Sequence, residues 1–335
     1  MMKSNKILMC MIGCIGVIFI CLPPIAACAQ PAPTETIVLK AITCLPEDHP
    51  TYPGWWDWIK KVNEQAKGQL KIDYLGGPEV IPAFEQTEAL RKGIMHVNLQ
   101  IAGYYTSLLP EALCLYLSRI TPWEERKSGY HDYVNELHAK INVHHLARTA
   151  YPLGYYLYGN VRAEKPEDLA GKKFRAAAYA IEFMKALGIA PVSLKFGEIY
   201  TALDRGMVDG FSWAWSGVVD RGWSAVCKYV IGPSFFDSGG TSHILMNLDS
   251  WKQLPDHLQK LLTNLAAEHE RKWTPFYEKY HDQQLTAMMN AGMQHLKFSS
   301  ADSKRYIDLA YDVTWKSIIK KRPDTAAKLK ELSSK

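Results

Sequence analysis

Catalytic signatures are missing from this 335-residue sequence. It has no Gly-x-Gly-x-x-Gly stretch, no phosphate-cradling Gly-x-x-x-x-Gly-Lys-Ser/Thr loop and no Gly-x-Ser-x-Gly elbow. His269-Glu270 is not followed by a second histidine at zincin spacing, and His144-His145 lies in a strand-like run whose neighbours face opposite ways. No convergent metal set is therefore read, no cofactor is implied, and the chain is expected not to be an enzyme. Cysteine is sparse where it would matter. Of seven, Cys10, Cys14 and Cys21 fall in the leader, and Cys44, Cys114 and Cys227 are too widely spaced for a disulfide framework or a zinc site. Like charges form no block and the net charge is only +5, so nucleic acid is not a partner. Internal repeats, low-complexity tracts and Gly/Ser linkers are also missing.

What is present begins with an export leader. Lys3 and Lys6 precede an uncharged apolar run, Ile7–Leu22, which is short against the about 20 residues of a membrane-spanning helix. Residues 1–27 are expected to be removed as a signal peptide. Ile25-Ala26-Ala27-Cys28 is similar to a lipobox, which makes Cys28 a lipidation site and a membrane anchor; Ala27-Cys28-Ala29 reads equally as an ordinary cleavage site. Either way the folded part is expected to work outside the cytoplasm, with or without a lipid tether.

The mature chain of about 300 residues is long enough for two lobes. Strands at 37–43, 69–75 and 94–100 alternate with helices at 54–67 and 84–92, a rhythm that predicts parallel sheets covered by helices. After Leu254 the pattern changes. Leu258, Leu261, Leu262 and Leu265 predict one extended helix over 257–280, kinked at Pro275, and terminal helices follow over 302–320 and 323–330.

The richest stretch is 165–213. Pro166-Glu167-Asp168 opens a turn, and Arg175 ends a short apolar strand. Helices over 179–187 and 198–206 stop near Gly188 and Gly206. An arginine at the mouth of such a unit suits a carboxylate, because its planar fork donates two parallel charge-assisted bonds. A structural arginine paired with Glu198 or Asp168 fits the same residues.

Pro166 to Arg175, Ala186 to Val192 and Glu198 to Gly210 together resemble the substrate-binding subunit (DctP type) of tripartite ATP-independent periplasmic (TRAP) transporters. Weaker similarity runs over about 36–320 and includes His49-Pro50, the 85–93 helix and the Asn247–Pro255 run. The resemblance implies a two-lobed α/β fold like that of periplasmic binding proteins, with a ligand cleft between the lobes and a long lobe-spanning helix. Lobe one would hold 31–150 plus 241–280, and lobe two 151–240 plus 281–335. It further implies capture of a small organic acid, closure around it and delivery to TRAP integral-membrane subunits. Rival readings are an exported enzyme acting on an organic acid and a solute receptor feeding a membrane sensor.

On that resemblance Arg175 is the carboxylate anchor and Trp213 a pocket wall, while Trp223 packs and Asp209 is a turn residue beside Gly210. Tyr156 stands where sugar-acid binders keep a second arginine, and Ser212 where metal-dependent keto-acid binders keep a glutamate. Trp215, Phe196, Tyr104, Glu47 (with His49 in the same loop) and His243 complete the candidate set, with no metal ligand among them. Replacing charged groups by Tyr156 and Ser212 points to a monocarboxylate with an aromatic, apolar or 2-oxo body.

Overall fold

In the computed structural model, residues 35–239 and 242–334 are described. The leader and Cys28 lie outside them. The strands are β1 (Ile37–Thr43), β2 (Leu70–Gly76), β3 (Val97–Ile101), β4 (Val143–Thr149), β5 (Tyr155–Gly159), β6 (Lys173–Arg175), β7 (Ala190–Val192), β8 (Gly210–Ala214), β9 (Tyr229–Phe235), β10 (Ser242–Asn247) and β11 (Gln294–Leu296). They form two sheets, one ordered β2-β1-β3-β10-β4 and the other β11-β9-β5-β8-β6-β7. The two sheets are the bases of two lobes.

The sheets are mixed, not parallel throughout. β1 runs parallel to β2 and β3, but β10 is antiparallel to both β3 and β4. In the second sheet β5 is antiparallel to β8 and β9, whereas β6 is parallel to β7 and β8. The strands that break the parallel order are β5 and β10, the two that enter a sheet directly from the other one. Parallel neighbours need a helical crossover to reverse the chain, and these two connections have none.

Local sequence explains the helices that cover the sheets. In Pro53–Gln65 the buried residues Trp55, Trp58, Ile59 and Val62 recur at helical spacing, and a proline fits the first turn, where no amide donor is needed. Trp55 stacks on Trp58 at 5.3 Å. The run expected over 257–280 is two consecutive helices, Asp256–Lys272 and Thr274–Asn290, meeting at Trp273. Pro275 has no amide hydrogen for the preceding turn, so the axis breaks there. The first of the pair packs on β4 and the second reaches β11.

A buried ionic cluster ties the crossing segments to the first sheet. Arg148 bonds Glu125, both side chains being almost fully buried, and it also donates to the Ser238 carbonyl between β9 and β10. Glu270 accepts Arg126 at 2.7 Å and the Arg148 amide at 3.0 Å. Cys44, Cys114 and Cys227 are all buried free thiols. His145 is buried in β4 while His144 stacks on Trp251 at 4.1 Å, on opposite sides of the strand, and no metal-holding cluster occurs among the described residues.

Candidate functional site

The site begins with the turn that aims β6. Gly171, at φ 77°, takes the left-handed conformation that residues with a Cβ resist. Asp209 accepts the Lys173 amide at 2.8 Å and so pins the start of β6 to β8. At Gly210 a Cβ would sit 2.3 Å from the Tyr158 carbonyl and 2.5 Å from the Phe174 ring, so only glycine permits this approach of β5, β6 and β8. Thus held, Arg175 at the end of β6 faces a cavity of about 320 Å³.

Arg175 is only 4% exposed. Its Nε donates to the Leu194 carbonyl at 3.3 Å and Nη1 to the Ser212 carbonyl at 3.2 Å. Neither acid that might have paired with it does so. Asp168 accepts the Glu164 and Lys165 amides at 2.8 and 3.1 Å, and Glu198 accepts the Lys195 amide at 2.8 Å. No described carboxylate forms an ion pair with Arg175. A buried cation satisfied only by two long carbonyl contacts is costly, and an incoming carboxylate offsets that cost directly.

The cavity wall comes from strands and loops of both sheets. Leu45, His49, Thr51 and Tyr104 approach from the first, and Tyr155, Tyr179, Leu194 and Trp213 from the second. Trp213 lies with its ring 5.7 Å from the Arg175 guanidinium carbon, and its indole N–H donates to the Ser216 carbonyl at 3.1 Å. It therefore offers the solute ring surface and no free donor. His49 is held neutral. Its Nδ1 lies 2.8 Å from the Thr51 hydroxyl and 3.4 Å from the Thr51 amide nitrogen. Burial, helped by the charge of Arg221, pushes its pKa down to about 3.

Of the residues singled out in the sequence, Arg175, Trp213, Tyr104 and His49 meet at this cavity. Tyr156 does not reach it. Its hydroxyl lies 3.3 Å from His281 Nε2, and its ring packs against His281 and His295. The adjacent Tyr155 lines the wall instead, 4.1 Å from the Tyr179 ring, because consecutive strand residues point to opposite faces. His243 is likewise turned inward, with Nδ1 2.8 Å from His145 Nε2, and its neighbour Ser242 lines the cavity. Trp215 packs on Tyr280 and His281 on the far side. Phe196 supports Trp213 from behind at 5.0 Å, and Trp223 packs on Phe211 at the same distance. Glu47 is exposed outside the wall, although Leu45 and His49 of its loop belong to it. Tyr179 and Tyr116 are among the wall residues that the sequence did not single out.

The same architecture recurs in solved structures. A TRAP periplasmic solute-binding protein from Desulfovibrio salexigens, determined with bound orotic acid, superposes with a TM-score of 0.79 at 19% identity, covering 89% of this chain and 98% of that one. One from Ralstonia eutropha H16, with bound (S)-2-acetolactate, superposes at 0.70 with 17% identity, covering 89% and 98%. Among curated relatives, a monocarboxylate 2-oxoacid-binding periplasmic protein of Nostoc sp. is 23% identical over 287 residues, spanning 82% of this chain and 77% of its own length. The sequence pattern of the bacterial extracellular solute-binding proteins, family 7, matches residues 42–321. These are solute-binding proteins, not enzymes, and the chain belongs to that family, the DctP type of TRAP periplasmic solute-binding proteins.

Proposed function

We propose that this protein captures a small monocarboxylate with an apolar, aromatic or 2-oxo body, held through Arg175, and delivers it to TRAP integral-membrane subunits. The observation that carries the reading is one buried guanidinium without an ion pair in a cavity whose wall includes Tyr104, Tyr155, Tyr179 and Trp213 and no carboxylate. At about 320 Å³ the space suits a small acid. Ser212, not a carboxylate, precedes Trp213, so the wall supplies no acidic ligand for a metal bridge there. A second ligand carboxylate would be buried without a partner, at a cost of several kcal/mol. The names of the Nostoc relative and the acetolactate-bound structure agree with an acid of this kind.

We assign 31–150 with 241–280 to lobe one and 151–240 with 281–335 to lobe two, with closure enclosing the solute. A ligand that binds the closed form better shifts the equilibrium toward it, and that form is the one to present to the membrane subunits.

A thermal-shift panel tests the substrate class. Branched 2-oxo acids and aryl or indolyl acids are expected to raise the melting temperature, with or without EDTA, and succinate and malate to raise it less. A dominant shift with succinate, or a stabilisation that EDTA abolishes, refutes the proposal. For the mature N-terminus, intact-mass measurement is expected to find Cys28 first and carrying diacylglycerol. A lipid-free chain beginning at Gln30 would instead establish ordinary processing and a freely diffusing periplasmic protein.

A further inference from the structure

Arg175 is not the only arginine near the cavity that lacks an ion pair. Arg221, in the loop between β8 and β9, is half-buried, and its Nε has no acceptor although it is shut away from solvent. No described side chain or carbonyl accepts from its guanidinium. The group lies 4.4 Å over the Phe196 ring, and Phe196 in turn backs Trp213 of the cavity wall. Gly217, next to the wall residue Ser216, marks where the stem runs. A Cβ there would lie 3.4 Å from Arg221 Nε and 3.6 Å from Pro50 Cγ. Arg221 is not itself a wall residue; its stem stands just outside the wall, beside Gly217 and the loop that carries His49.

Two wall groups, His49 and Tyr104, feel its charge. It disfavours protonation of His49, and it acts together with Arg175 on the Tyr104 hydroxyl. Burial pushes the Tyr104 hydroxyl up, and the charges of both arginines oppose that shift. The charge of Arg221 is offset, however. Burial pushes the Arg221 pKa down, Asp48 and Asp220 oppose that shift, and neither forms an ion pair with it. A second carboxylate arriving there would meet those two acids, whereas a neutral oxygen would meet only unfilled donors.

We infer that Arg221 is a specificity-determining residue that donates to a neutral oxygen (ketone, hydroxyl or amide) at the end of the solute remote from its carboxylate. The inference rests on the organic-acid reading of the Arg175 cavity. It narrows that class to acids bearing a distal acceptor in addition to the carboxylate. An unfilled, partly desolvated donor discriminates strongly, because the analogue lacking the oxygen leaves the donor unpaired.

The test uses matched pairs that differ by one distal oxygen: valerate against levulinate, and phenylpyruvate against its para-hydroxy form. Titration calorimetry on the wild-type protein is expected to show the oxygenated member of at least one pair bound about tenfold more tightly. Arg221→Met keeps an apolar stem on Phe196 but removes the fork. It is expected to abolish that preference, with less than about threefold loss for the plain acid and an unchanged melting temperature without ligand. Arg221→Lys is expected to restore only part of the preference. Equal losses for both members of a pair would show that Arg221 acts on closure and not on the solute, overturning this inference alone. So would wild-type protein that binds both members alike. Failure of every monocarboxylate to bind would instead remove the reading beneath it, and this inference with it.

Discussion

Arg175→Ala is expected to weaken capture of the acid by roughly 2–4 kcal/mol while leaving the folded protein at least as stable as before. Both halves of that expectation come from the same geometry. The guanidinium is buried, holds no carboxylate, and touches only the Leu194 and Ser212 carbonyls at 3.3 and 3.2 Å. Before ligand arrives it carries a desolvation cost with little return, so truncation relieves the unliganded protein. Once a carboxylate is present, the same group supplies charge-assisted bonds that no neighbour replaces, since Trp213 spends its N–H on Ser216 and His49 is a neutral ring. Arg175→Lys is expected to bind poorly too, because a point charge on a flexible stem does not reproduce the planar fork. Calorimetric titration of both variants, with thermal melts of the unliganded proteins, decides it. Near-native affinity in either variant rules out the anchor role, and a large loss of stability without ligand would mark Arg175 as structural.

The legible and illegible parts of this site divide along a physical line. The place of Arg175 at the end of β6 was legible because its neighbourhood is written locally, while its proposed role came from the family resemblance. The Pro166–Arg175 turn, the helix stops and the Val-Asp-Gly of β8 all act over short sequence distance, and Gly210 is required by a backbone approach that any side chain would block. Tyr156 and His243 fell on the wrong side for one shared reason. Each lies on a strand one position away from a true wall residue, Tyr155 or Ser242, and a single-residue offset along a strand reverses the face. The mixed order of the sheets escaped because the helix–strand rhythm does not reveal that β5 and β10 cross between sheets without a helix. Tyr179 and Tyr116 stack at 5.0 Å across elements more than sixty residues apart, a contact that no local pattern encodes. Pro275 was the opposite case, a residue whose missing amide sets the break at Trp273 wherever the helix packs.

Acidification is expected to destabilise the fold by several kcal/mol between pH 6.5 and 5, well before ordinary carboxylates titrate. The cause is a set of histidines buried as neutral rings. Burial is the main cause at each, pushing His131 to about 3, and His138, His144 and His269 to about 4. His49 is at about 3, and His145 and His243, hydrogen-bonded to each other at 2.8 Å, lie well below the usual imidazole range. The charge of Arg126 also opposes protonation of His131, His144 and His145, and that of Arg148 opposes it at His243. A folded-state pKa below the unfolded one means the unfolded chain binds more protons. The stability these groups contribute is therefore complete above about pH 6.5 and is lost as pH falls toward the folded values. Each such ring can withdraw up to about 2 kcal/mol at pH 5, at about 1.4 kcal/mol per pH unit. Glu125 and Asp237, whose carboxyls burial pushes up, work in the other direction, but they are two groups against seven. Urea unfolding at closely spaced pH values measures the difference in bound protons as the slope of stability against pH. About three or more protons taken up on unfolding near pH 5.5 is the expected result. A slope of less than about one proton would mean that these rings charge inside the folded protein as easily as outside it, contradicting their burial.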